Sequence, residues 1–196
     1  MTFFQQLHHI DKDVTLAINS FNSPASDFIW QVFSNRYIWF VLYGVVIFFF
    51  FRNLGWKRAL IVIVGVALAV TCCDQFANFT KAYFERLRPC WDGGMVGLHL
   101  LEDKGNLYGF YSAHAANSMT FAVGSYIGFK NDTRRNYKPY GICVIIWAIL
   151  VGMSRVFCGK HFFGDVCVGY AVGVIVALFF SLLSVLLIKK FNLQDK

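Results

Sequence analysis

Between Val166 and Ile188 the chain is apolar apart from small residues and two serines. As a helix this run is long enough to cross the roughly 30 Å hydrocarbon core of a bilayer. Four further stretches repeat the pattern more weakly, at about 37–51, 58–79, 113–130 and 139–157. They are shorter or more polar, which a membrane bundle accommodates by turning polar side chains inward. Ahead of them, Ile10, Val14, Leu16, Ile18, Phe21, Phe28, Ile29, Val32 and Phe33 alternate with polar residues. That pattern predicts an amphipathic or partly inserted helix within residues 10–35. No basic segment precedes a short apolar core with a small-residue cleavage site, so no removable signal peptide is expected. The prediction is an all-α, polytopic membrane helical bundle with five to six transmembrane helices: an N-terminal amphipathic segment (1–36), a transmembrane domain (37–188) and a short polar tail (189–196).

Composition agrees. Of 196 residues, 57% are hydrophobic and 15% charged, against an apolar share of roughly 45–50% in soluble domains. The net charge of +7 is unevenly placed. Arg52, Lys57, Arg58, Lys130, Arg134, Arg135, Lys138, Lys189, Lys190 and Lys196 fall in alternate loops or the tail, which the positive-inside rule assigns to the cytoplasm. Contact with anionic lipid headgroups also accounts for these clusters. The opposite face receives residues of about 80–112 and 154–163, which hold Lys81, Arg86, Arg88, Lys104, Arg155 and Lys160. Cations on that face weaken the bias unless they serve chemistry. Nothing beyond the charge points to nucleic acid.

Three stretches on the predicted outer face carry chemistry. In KAYFERLRP (81–89), Lys81 and Arg88 are seven residues apart, about two helical turns, so both can lie on one side of a helix that Pro89 ends. Such a pair can clamp an anion, and it equally fits snorkelling anchors at a membrane boundary. In FYSAHAANS (110–118), Ser112 offers a hydroxyl, and the amides around Ala113 and His114 lie at the predicted positive end of a helix. His114 stands where a proton could be delivered; an interfacial histidine bonded to water is the plainer reading. In SRVFCGKHFFGD (154–165), His161 and Asp165 are four residues apart and Arg155 is six residues before the histidine. The aspartate can accept a proton from one imidazole nitrogen, leaving the other as nucleophile or base; a purely structural pair is the alternative. Together these stretches supply the parts for phosphoryl transfer without a metal: cations and amides for the phosphoryl oxygens, one histidine to attack and one to protonate the leaving oxygen. Glu85, Asp92, Glu102, Asp103 and His99 lack metal-ligand spacing.

The same three stretches, in this order and at these spacings, resemble the signatures of the type 2 phosphatidic acid phosphatase (PAP2) family: Lys, six residues, Arg-Pro; a Pro-Ser-Gly-His quartet, here Tyr111-Ser112-Ala113-His114; and Ser-Arg, five residues, His, three residues, Asp. Vanadium-dependent haloperoxidases belong to the same superfamily, and their soluble character sets them apart from this chain. The resemblance covers roughly residues 25–188 and implies a PAP2-like bundle. It further implies that His161 is the nucleophile that forms a phosphohistidine, that Asp165 orients it, and that His114 is the general acid. Lys81, Arg88, Arg155, Ser112 and the Ala113 amide would bind phosphate, with no metal and no cofactor. Asp74, with Gln75 and Asn78, lies ahead of Lys81; support of the site by pairing with a cation is the preferred reading, and a hydrogen bond to a neighbouring helix is the alternative. Cys90 and Cys158 both fall on the outer face, where an oxidising compartment would permit a disulfide.

The resulting expectation is an integral membrane lipid phosphatase, in a bacterial inner membrane with its site facing the periplasm or outer surface. Its partner is a phosphorylated membrane lipid: undecaprenyl diphosphate or a lipid A phosphate first, phosphatidylglycerol phosphate or phosphatidic acid next. A non-catalytic lipid-binding or transport protein is the rival from another class, but binding alone has no need of both histidines.

Overall fold

The structure, a computed structural model, describes residues 2–193. The described residues form seven α-helices, α1 (Phe3–Asn19), α2 (Pro24–Ser34), α3 (Phe40–Leu54), α4 (Trp56–Phe84), α5 (Ala113–Phe129), α6 (Lys138–Phe157) and α7 (Phe163–Lys190), and a short 3-10 turn at Pro89–Trp91. Each of the five apolar stretches coincides with a helix. Three of these, α4, α6 and α7, at 29, 20 and 28 residues, are long and apolar enough to cross a membrane, while α3 is apolar but has 15 residues. On α4, α6 and α7 large apolar side chains such as Leu68, Ile142, Ile146, Ile175, Phe179 and Leu182 are exposed, as lipid-facing surfaces require.

The segment read as one amphipathic helix is two. Ser23 precedes a proline, which disfavours helical backbone at that residue; it is extended (φ −162°, ψ 159°) and its hydroxyl accepts the Ser26 N–H. Pro24 then occupies the first position of α2, where its missing N–H costs nothing. Helix α1 starts with a reciprocal cap between Thr2 and Gln5. One polar stripe of it faces the protein: Asn19, fully buried, donates to the carbonyls of His99, Val156 and Phe157 and accepts the His99 N–H at 2.7 Å. Phe3, Leu7 and Ile10 are exposed on the other side.

Helix α5 is the centre of the bundle, packed against α3, α4, α6 and α7, and most of its residues are buried, many of them small: Ala115, Ala116, Ser118, Ala122, Gly124, Ser125. Small residues let helices approach where no water drives them together. On α7, Gly169 and Gly173 meet α5 backbone directly: a Cβ would stand 2.7 Å from the Ser112 carbonyl oxygen at the first and 2.5 Å from that of Ala116 at the second. Thr120 donates to the Gly173 carbonyl across the same seam.

At the end of the bundle away from the outer-loop signatures, several cations are structural. Asp132 is buried and accepts from Arg134 (2.8 Å), Arg135 (3.3 Å) and the Tyr137 hydroxyl (2.7 Å). Arg134 also donates to the Asn53 carbonyl and Arg58 to that of Asn131, tying the α3–α4 turn to the α5–α6 turn. Orientation in the membrane is therefore not their sole use.

Gly173→Ala is expected to lower stability by about 1–3 kcal/mol, the usual cost of an added methyl in a filled seam, measured as a drop in the unfolding temperature of the detergent-solubilised protein.

Candidate active site

Helix α4 carries Lys81 in its last turn and stops at Phe84, where Glu85 takes a left-handed conformation (φ 46°). The chain then runs extended: the Arg88 N–H bonds the Leu107 carbonyl (3.0 Å) and the Gly109 N–H that of Arg86 (2.8 Å). Arg88 is thus not on the helix with Lys81, contrary to the spacing argument, and Pro89 does not end α4. The proline acts one residue back, holding Arg88 extended (φ −74°, ψ 157°). Both cations still reach the same cavity.

At the head of α5, Ser112 is the N-cap residue and Ala113 the first helical one. The Ser112 hydroxyl is buried and has no hydrogen-bond partner in the protein, so it does not cap its own helix. The alanine in place of glycine is unstrained: among the described residues only Glu85 and Asn192 are non-glycines with positive φ. Tyr111, where the family has proline, is buried and donates its hydroxyl to the Cys73 carbonyl (2.8 Å), anchoring this turn to α4. His114 follows in the first turn, facing the cavity.

The five-residue spacer between Arg155 and His161 is a helix ending. Arg155 lies in the last turn of α6, Cys158 caps it, and Gly159 adopts φ +71°, the left-handed turn that glycine provides at helix C-termini. Both the Lys160 and the His161 N–H groups then bond the Arg155 carbonyl, at 2.8 and 3.2 Å. Arginine and histidine are thereby brought to one place. His161 lies two residues before α7 and Asp165 in its first turn. The Asp165 carboxylate, wholly buried, accepts the Phe162 N–H (3.1 Å) and stands 3.5 Å from His161 Nδ1. That separation is longer than a formed hydrogen bond. The Asp165 carbonyl accepts the Ser112 N–H (3.1 Å), joining the heads of α5 and α7.

Lys81, Arg88, Ala113, His114, Arg155 and His161 line a cavity of about 330 Å³. Asp74 also lines it and accepts from Asn117 on α5 (3.3 Å), the neighbouring-helix bond of its alternative reading. Sequence reasoning missed Arg36, Trp39, Tyr43 and Asn117, which form the cavity's further walls. It also missed that Arg155 is engaged: its Nη1 donates to the Ser34 hydroxyl and to both oxygens of Glu102, at 3.2 Å. Burial opposes ionisation of Glu102, but the Arg155 charge and the Ser34 bond outweigh it and hold its pKa below the usual carboxylate value. Arg155 Nε remains without a protein partner, like the Ser112 hydroxyl. Burial, then the charges of Arg88, Arg155, Lys81 and Lys160, push the His161 pKa well below that of a free imidazole, so its ring is neutral near pH 7.

Lys160 is not in the cavity lining: its ammonium donates to the carbonyls of Asp103 and Lys104 and pins that loop. Cys90 and Cys158 are not bridged; Cys158 is buried, and Cys90 points to the Lys104 carbonyl. Among the described residues no three His, Cys, Asp or Glu side chains converge as metal ligands would.

Residues 58–188 match the PAP2 superfamily. The chain is 29% identical over 171 residues to a lipid A 4′-phosphatase of Bacteroides thetaiotaomicron, covering 85% of this chain and 73% of the relative. It is 30% identical over 175 residues to a lipid A 4′-phosphatase of Porphyromonas gingivalis, covering 87% and 71%. The fold is similar to the crystal structure of a transmembrane PAP2-type phosphatidylglycerolphosphate phosphatase from Bacillus subtilis, with a TM-score of 0.69, 20% identity, and coverage of 89% of this chain and 84% of that one. With the matched segment spanning more than half its length, the chain belongs to the PAP2 superfamily. It is a membrane-embedded, metal-independent phosphatase that acts on the phosphorylated headgroup of a lipid.

Gly109 covers the histidine and aspartate. A Cβ there would lie 2.9 Å from the Arg88 side chain and 3.4 Å from both Asp165 Oδ2 and His161 Nδ1. Gly109→Val is expected to cut phosphatase activity by roughly 10²-fold, the scale of a small misplacement of reacting groups, while the protein still purifies as a folded species; steady-state phosphate release checks it.

Proposed function

We propose that the protein removes a phosphate monoester from lipid A through a phosphohistidine on His161, at a site facing the periplasm of a bacterial inner membrane. The observation that carries the mechanism is the convergence of Lys81, Arg88, Arg155 and the head of α5 on the cavity that His114 and His161 share. The choice of lipid A over undecaprenyl diphosphate, phosphatidylglycerol phosphate or phosphatidic acid rests on the two relatives at about 30% identity. The outward orientation and the count of five to six spans rest on the cations gathered at the opposite end of the helices and on the five apolar stretches.

In this mechanism, Lys81, Arg88, Arg155, the Ser112 hydroxyl and the Ala113 N–H hold the phosphoryl oxygens. Asp165 accepts the His161 Nδ1 proton once the 3.5 Å gap closes, which leaves Nε2 with its lone pair toward phosphorus. Nε2 attacks, the P–O bond to the lipid breaks, and His114 gives its proton to the departing alkoxide. A water then attacks the phosphohistidine, returning a proton to His114 and releasing inorganic phosphate. Low pKa suits His161 to this task, since an imidazolium has no lone pair to offer.

Phosphate release by the purified protein in EDTA, from lipid A set beside the other three lipids, tests the reading. Lipid A is expected to be the fastest, and His161→Ala to abolish turnover; activity lost in EDTA, or retained in His161→Ala, would overturn it. His114→Ala is expected to cost about 10²–10⁴-fold on lipid A and much less on an aryl phosphate, whose leaving group needs no proton.

The lowered His161 pKa gives a signed pH prediction. The neutral form persists below the usual imidazole value of about 6.5, so the acid limb of kcat/KM assigned to His161 falls below that pH. A profile in which the nucleophile titrates above it would contradict the burial and charge argument.

A further inference from the structure

Arg86 has no part in the mechanism above, and its place in the sequence marks it only as one more outer-face cation. Its contacts are specific. Asp165 has no solvent exposure, and a buried carboxylate needs a paired cation to stay ionised. Arg86 supplies it, with Nη1 2.6 Å from Asp165 Oδ1, so that Oδ2 is left to the Phe162 N–H and to His161. The guanidinium lies over the Phe162 ring, 4.3 Å from its centre, and its other terminal nitrogen, Nη2, is 2.6 Å from Asp11 on α1. His8 Nδ1 also lies 3.2 Å from Nη2.

Helix α1 does more than hold Arg86. Asp11 accepts the Gly164 N–H (2.8 Å), and Thr15, one turn on, accepts the Phe163 N–H (3.0 Å). These are the first two amides of α7, which have no partner within the helix; an N-cap side chain ordinarily takes up one of the leading amides, and Phe162 has no acceptor to offer. Gly164 is what admits Asp11, since a Cβ there would fall 2.7 Å from its carboxylate.

We propose that Arg86 is a positioning residue that sets the Asp165 carboxylate against His161, and that Asp11 makes the N-terminal helix part of the working site. The inference rests on the proposed role of His161 as nucleophile. A merely structural ion pair would alter stability and leave turnover per folded molecule unchanged. A positioning role acts on kcat, and acts through Asp165 alone.

The test is a double-mutant cycle on the full-length protein with lipid A as substrate, using Arg86→Gln, Asp165→Asn and the pair. Arg86→Gln is expected to lower kcat by roughly 10–100-fold with KM little changed, and to cost less than about threefold further in the Asp165→Asn background. Arg86→Lys is expected to recover only part of the loss, because an ammonium cannot span both carboxylates as the planar fork does. Equal losses in both backgrounds, or wild-type kcat in folded Arg86→Gln, would overturn the proposal. If Arg86→Gln does not fold, the same cycle with Asp11→Asn decides, by the same criterion of non-additivity with Asp165→Asn. Wild-type protein quenched in alkaline SDS, in which the N–P bond survives, is assayed alongside for phosphohistidine. Its absence at His161 would refute the mechanism itself, whereas trapping in the wild type with additive cycle losses would refute this inference alone.

Discussion

A carboxylate with no access to water has to be given a charge partner, and the cavity end of this protein is arranged around meeting that demand for Asp165. Arg86 reaches it only because α4 stops at Phe84 and the chain turns through Glu85 into an extended run. The extended run in turn places Arg88 in the cavity and Gly109 over the histidine. The Asp165 carbonyl ties the head of α5, so the two helix starts that carry His114 and Asp165 are held in a fixed relation. Four stretches of chain, the run from Phe84 to Arg88, Gly109 and the heads of α5 and α7, therefore meet around Asp165.

Below that end the requirement is different. Lipid offers no hydrophobic drive for helices to associate, so α5 and α7 are held by close backbone approach at Gly169 and Gly173. The residues that define the chemistry all sit at one end of these helices. A small shift in the seam would be carried directly to Ser112 and Asp165, which makes packing deep in the bundle a determinant of geometry at its rim.

The large features were legible in the sequence because they are periodic or contiguous. Apolar runs announce helices wherever they fall, and Ser23-Pro24 carries in its own chemistry the break that divides α1 from α2. The cavity residues Lys81, Arg88, His114, Arg155 and His161 were legible as types at fixed spacings, and the structure brings them together. Their local geometry was less so: a seven-residue step from Lys81 to Arg88 reads as two turns of helix, but α4 stops at Phe84 through the left-handed Glu85, and the proline holds only Arg88 extended. The roles of Arg86, Glu102 and Ser34 left no trace, because each acts through a partner more than fifty residues away, and such pairings leave no local pattern. One signal was available for α1. Its polar positions His8, Asp11, Thr15 and Asn19 recur at helical spacing, and a polar stripe that regular on a helix beside a membrane calls for a protein surface to receive it.

The contact between Arg155 and Glu102 has a consequence for turnover. On the proposed mechanism, a phosphate that enters the cradle has to take Arg155 from a carboxylate tethered in the same molecule, and inorganic phosphate left after hydrolysis faces the same tethered anion. The loop carrying Glu102 therefore behaves as an intramolecular competitor at high local concentration. A lipid-anchored substrate, held in place by its acyl chains, can prevail against it. The free ion has no such anchorage, so the competitor tilts the site toward discharge of its product and resets the empty cradle for the next lipid.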